Sequence, residues 1–115
     1  MPNPLPSVIM ITGALHMRNA SLPGALLPGA NLRGMDLTDA YMPNADLKGA
    51  CLADTILCRA DLEDAYMRDA DLRGADLTGA DLNGVTLAGA LYNSNTIWPD
   101  GFDPAAAGAT PVDWP

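Results

Sequence analysis
Residues Ala60 to Gly84 read ADLED AYMRD ADLRG ADLTG ADLNG, five pentapeptides in unbroken register. A period of five matches neither the alternation of a strand nor the turn of a helix, so no single amphipathic element carries the pattern. The repeat is therefore the unit of the fold. Within each unit a small apolar residue is followed two places later by a large one, as in Ala60 and Leu62 or Ala70 and Leu72. Residues two apart in an extended piece point to the same side, so both face inward and a corner follows. If each corner turns the chain by about a right angle, four units close a square coil of twenty residues. The next coil then stacks on it at the inter-strand spacing of about 4.8 Å.

Followed outward, the frame gives sixteen consecutive units from Leu15 to Ser94 without insertion or deletion. The large inward position is Leu in twelve, Met in three (Met17, Met42, Met67) and Tyr92 in one, which makes it a near-uniform filler of one column. The small position is Ala in twelve, with Leu15, Met35, Thr55 and Val85 as exceptions. So much Ala and Leu would suit a helix, but the fifth position is Gly in eight units, and each Gly costs a helix about 1 kcal/mol. In six more it is Asp or Asn (Asn19, Asp39, Asn44, Asp54, Asp64, Asp69), the other residues that tolerate positive φ. Turn chemistry thus marks fourteen of the sixteen corners. Pro23-Gly24 and Pro28-Gly29 suit type II turns, with Pro setting φ and Gly supplying the positive φ.

A(D/N)LxG in tandem over about 80 of 115 residues resembles the pentapeptide-repeat proteins. The resemblance implies an all-β fold, a right-handed quadrilateral β-helix with four faces, four units per coil and about four coils. It also implies a hydrophobic interior with no cavity and no bound cofactor. It implies no single activity: some members resemble DNA in shape and charge and bind DNA gyrase, many have no assigned role, and cyanobacteria carry large numbers of them.

The domain boundaries follow from where the frame fades. Residues 1–14 hold three prolines and the apolar run Val8 to Ile11, expected as an N-terminal cap over Met17 and Leu22. The β-helix is expected over 15–99, its last unit Asn95 to Pro99 with Ile97 inward. Residues 100–115 are expected as a C-terminal cap and tail. There Asp100-Gly101 forms a turn, and Asp103, Pro104 and three alanines form an N-cap, an N1 proline and one short helical turn ended by Gly108. Trp98 and Phe102 cover the last coil, and Thr110 to Pro115 fray.

A net charge of −8 and a pI near 4.1 argue against direct binding to nucleic acid or an anionic membrane and favour a basic protein partner. No run reaches the length of a membrane span, and MPNPLPSVIMITGA lacks a positive n-region, so the expected location is the cytoplasm and the expected state a monomer or weak homodimer. A single histidine, His16, assembles neither a catalytic triad nor a histidine zinc site. Cys51 and Cys58 fall on adjacent faces and are expected as free thiols. The spacing of calcium-binding β-rolls is absent, as is the repeated Thr array of an ice-binding face. Catalytic, cofactor and metal sites are accordingly not expected, and neither is an enzyme.

Stacking by twenty assigns every charge to a face. Asp61, Glu63, Asp64 and Asp81 share the first face without a base, above Tyr41 in the same outward column. The second balances Asp46 and Asp69 against Lys48 and Arg68, the third Asp54 and Asp71 against Arg33 and Arg73, and the fourth sets Asp36, Asp39 and Asp76 against Arg59. Tyr41, Asp61, Glu63, Asp64 and Asp81 are the candidate interaction face for a basic partner. The alternative, a DNA mimic that binds gyrase, meets a shortage of charge. A rod of about 20 Å of duplex carries about twelve negative charges, whereas the repeats supply eleven acids, six bases and a net of −5.

Overall fold
The structure, a computed structural model, describes residues 16–112. From His16 to Asp71, bridges join each outward residue to the one twenty places on, in parallel: Ser21 to Tyr41, Tyr41 to Asp61, Asp61 to Asp81, and likewise Leu26, Asp46, Tyr66 and Thr86. Two hydrogen bonds make each step, as when Leu62 N–H donates to Asp81 O and Asp81 N–H to Ala60 O, both at 2.9 Å. A corner every five residues limits each side to one such pairing. The ladder is therefore a stack of isolated bridges, and only Leu91–Tyr92 (β1) and Thr110–Pro111 (β2) lengthen into a parallel strand pair.

Each corner is closed by a bond from the small inward residue of one unit to the large inward residue of the unit before, such as Ala25 N–H to Leu22 O at 3.1 Å. Gly24 has φ 65° behind Pro23, as the type II geometry requires. Asn19, Asp39, Asn44, Asp54, Asp64 and Asp69 all take positive φ, as expected of these corners. Arg59 does too, at φ 58°, with no intrinsic preference for that region. Its guanidinium lies on Asp39 one coil below through Nε to Oδ1 at 2.9 Å and a second nitrogen to Oδ2 at 3.1 Å. A two-point ion pair thus accompanies the unfavourable backbone.

The interior is the two columns the repeat defines. Leu47, Leu62, Leu77, Met42 and Met67 are fully buried, with Ala45, Ala65 and Ala75 beside them. Thr55 occupies a small inward position and stays satisfied, its hydroxyl donating to Leu52 O at 2.7 Å. Tyr41 and Tyr66, the two ends of the YM echo, stand in different outward columns. Contrary to what the resemblance implied, the interior is not without a cavity: an apolar one of about 350 Å3 opens among Met17, Leu22, Leu27 and Met35 in the first described coil. The cap assigned to residues 1–14 lies outside the described residues.

At the C-terminal end the structure corrects two expectations. Ile97 is not inward: it is half exposed and bridges to Asp76, so the register has advanced by twenty-one instead of twenty. Leu77 N–H donates to Ile97 O at 2.7 Å, which leaves Trp98 to turn inward. The extra residue is absorbed between Asn93 and Thr96, where side chains replace the ladder. Gly74 N–H donates to Asn93 Oδ1 at 3.1 Å, and Thr96 Oγ1–H to Leu72 O at 2.8 Å. Nor do residues 110–112 fray, since Thr110 N–H donates to Ala90 O at 2.7 Å and Val112 N–H to Tyr92 O at 2.8 Å. The segment from Pro104 to Gly108 is a single hydrogen-bonded turn with helix-type bonds, Ala107 N–H donating to Asp103 O at 3.2 Å and Gly108 N–H to Ala105 O at 3.1 Å, and it ends there as expected. Its N-cap is as expected, Asp103 Oδ1 accepting from Ala106 N–H at 3.1 Å.

Candidate interaction face
The outward position of A(D/N)LxG has a local task. Asp36, Asp46, Asp61, Asp71, Asp76 and Asp81 each accept the backbone N–H two residues on, at 3.0–3.1 Å. The acid or amide thereby holds the approach to its corner as an Asx turn. This role went unread in the sequence, although the preference of the repeat for Asp or Asn over Glu or Lys was its signal. Much of the acidity of the chain is thus first a matter of turn geometry, and charge on a face is its by-product.

How that charge is compensated differs between sides. On the third face Arg33 contacts Asp54 at 3.2 Å and Arg73 contacts Asp71 at 2.7 Å. On the fourth, Arg59 holds Asp39, and Arg18, which the sequence count omitted, reaches Asp36 at 2.6 Å. That correction lowers the excess on the fourth face by one charge. Thr38 Oγ1–H donates to the same carboxylate at 2.6 Å. Together the Thr38 hydroxyl, foremost, and the Arg18 guanidinium hold Asp36 down at about 2. The Thr78 hydroxyl lowers Asp76 in the same way, while Arg59 lowers Asp39 and Arg73 lowers Asp71.

On the first face Tyr41, Asp61 and Asp81 do form one column, in successive bridges. Glu63 and Asp64 are exposed beside them, and Tyr41 is 50% exposed. None of these acids enters an ion pair among the described residues. Asp64 turns the corner at φ 60°, its Oδ1 where a Cβ on Gly84 would stand. The five residues named from the sequence are thus brought together on one side. Asp100, which the sequence reading left out, joins Asp81 around a cleft with Pro99 and Phe102.

Elsewhere the chemistry is sparse. Cys51 and Cys58 are free, as expected. Burial, and then Asp76, pushes the Cys58 thiol up, so the neighbouring Arg59 does not activate it. Among the described residues no three metal-ligating side chains cluster, and no helix is long and apolar enough to cross a membrane.

The family model for pentapeptide repeats matches eight copies, over residues 16–54 and 50–84. The chain belongs to the pentapeptide-repeat family. It shares the right-handed quadrilateral β-helix of that family. A solved pentapeptide repeat protein from Nostoc is 34% identical with a TM-score of 0.74, covering 87% of this chain and 78% of its own. Another, from the Arabidopsis thaliana thylakoid lumen, is 30% identical with a TM-score of 0.51, over 72% of this chain and 57% of that one. A second Nostoc protein, involved in heterocyst differentiation regulation, is 31% identical with a TM-score of 0.49, over 83% and 48%. No curated protein matches with statistical significance. Pentapeptide-repeat proteins are in general structural and not enzymatic, so membership directs attention to surfaces rather than to a reaction.

Proposed function
We propose that this pentapeptide-repeat chain is a non-enzymatic, rigid interaction module whose first face receives a basic surface of a protein partner. In this proposal about four coils, capped at both ends, act as a cytoplasmic monomer or weak homodimer that presents flat sides. One observation carries the proposal: on the first face Asp61, Glu63, Asp64 and Asp81 have no base, while the third and fourth faces hold all four ion pairs of the described residues. Like charges stacked at ladder spacing repel, so Asp61 beneath Asp81 is a local cost that an incoming cation relieves. Tyr41 adds an aromatic edge against which a lysine or arginine stem packs. A DNA mimic would keep its charge on every side, whereas Arg18, Arg33, Arg59 and Arg73 each neutralise an aspartate.

The test exchanges Asp61, Asp64 and Asp81 for Asn, which removes charge while the side-chain amides at positions 61 and 81 keep the oxygen that the Asx turns use. Melting should stay level or rise slightly, and capture of the native partner at low salt should fall about tenfold. Equal recovery of the same partners by the triple variant would sink the proposal.

A further inference from the structure
On the first face the ladder ends open. One coil earlier Leu62 N–H donates to Asp81 O at 2.9 Å, Asp64 N–H to Asn83 O at 2.8 Å, and Ala60 O accepts from Asp81 N–H at 2.9 Å. The equivalent groups of the next coil are Leu82 N–H, Gly84 N–H and Ala80 O, and none has a partner among the described residues. The open edge runs on round the corner to Leu87 N–H. The opening begins at Gly79 N–H, which also has no partner among the described residues, and beyond it on either side the same coil is paired: Leu77 N–H donates to Ile97 O at 2.7 Å, and Gly89 N–H to Gly108 O at 3.1 Å.

The gap arises where the chain leaves its coil path. After Trp98 a turn from Pro99 to Phe102, closed at 3.1 Å and with Gly101 at φ 78°, carries the chain off the coil path. Between this turn and the coil lies a cleft of about 490 Å3, lined by Ala80, Leu82 and Gly84 on one hand and Pro99, Asp100 and Phe102 on the other. Two donors and one acceptor in ladder register, beside a cleft, accept an extended segment by strand addition.

Charge selects the occupant. Asp81 and Asp100 line the cleft, and Asp61, Glu63 and Asp64 continue down the same side. A second copy of this chain carries −8 and would bring further carboxylates to these, whereas a lysine- or arginine-bearing segment is complementary. We infer that residues 80–84 take up an extended basic segment of the partner protein as an added strand, in the place the next coil would occupy. This rests on the acidic-face proposal and gives it a kind of partner: a basic extended peptide, not a folded basic patch alone.

Amide hydrogen exchange on the full chain, with the end-blocked peptide GKVKVKG at low salt, tests it. At saturation, exchange at Leu82 and Gly84 should slow by about tenfold or more. The peptide GSVSVSG, and GKVKVKG N-methylated at its lysines, whose N–H groups would be the ones to face Ala80 O, should leave both amides unchanged. Asp81→Asn combined with Asp100→Asn should weaken binding about fivefold while the turn bond to Asn83 survives. Salt-sensitive binding that leaves both amides unslowed overturns the strand and spares the acidic face. Absence of binding at millimolar peptide overturns the strand, and the capture experiment above decides the face separately. Slowing that grows with protein concentration alone assigns the edge to a second copy and overturns the basic occupant.

Discussion

The coils between Ala30 and Ala80 and the segment from Asn93 to Val112 cover the same interior by opposite means. In the coils, every fifth residue turns the chain and every twentieth stacks on its predecessor, so Leu and Ala columns exclude solvent almost completely. In the closing segment the register slips by one, and three rings take over. Trp98 stacks on Phe102 at 5.2 Å, with 22° between planes, and meets Tyr92 edge-on at 5.5 Å. The rings are only partly buried, and Trp98 Nε1 is buried without a partner among the described residues. A repeat whose every side is made to be stacked upon cannot cover its own last coil. Covering requires larger side chains and a path that departs from the ladder, and the cost is backbone at Leu82 and Gly84 that no described residue pairs.

Breaking the regular part should be the most damaging. Leu62→Asp places a carboxylate in a dry column, and an unpaired buried charge costs about 3–5 kcal/mol. Because coils lean on neighbours, several should melt together by circular dichroism and hydrogen exchange. A soluble Leu62→Asp variant with wild-type melting would show that the column is not the source of stability.

The closing segment should be more forgiving. Trp98→Ser with Phe102→Ser removes two half-buried rings, for a loss of about 2–4 kcal/mol. Light scattering should then show association through the uncovered end. If melting and mass are both unchanged, the rings do not seal the coil, and the contrast between the two regions fails.

The smallest effect sharpens the comparison among corners. Gly24→Ala and Gly84→Ala both force a Cβ into positive φ, at about 1–2 kcal/mol. Nothing lies within 4 Å of a Cβ on Gly24, whereas one on Gly84 would meet Asp64 Oδ1. Urea melts should find Gly84→Ala worse by about 1 kcal/mol. Asp64→Gly in the same chain should remove that excess; if it does not, the carboxylate is not what the glycine accommodates.

The sequence alone determined the coil, its twenty-residue stacking, the inward columns and the side on which Tyr41, Asp61, Glu63, Asp64 and Asp81 meet. It could do so because a strict period of five makes long-range contact a matter of counting: Asp61 bridges Asp81 for the same reason that Ala60 precedes Leu62. Four things waited for the tertiary structure. The ion pair that accompanies Arg59 at positive φ depends on which residue lies one coil below. Arg18 neutralises Asp36 only through the turn of a side chain between coils. The one-residue slip depends on the Asn93 side chain replacing a backbone partner of Gly74 and on the Thr96 hydroxyl adding a bond to Leu72 O, which no periodicity records. The open edge at Leu82 and Gly84 follows from that departure, because once the count of twenty is broken only three-dimensional packing decides what covers what.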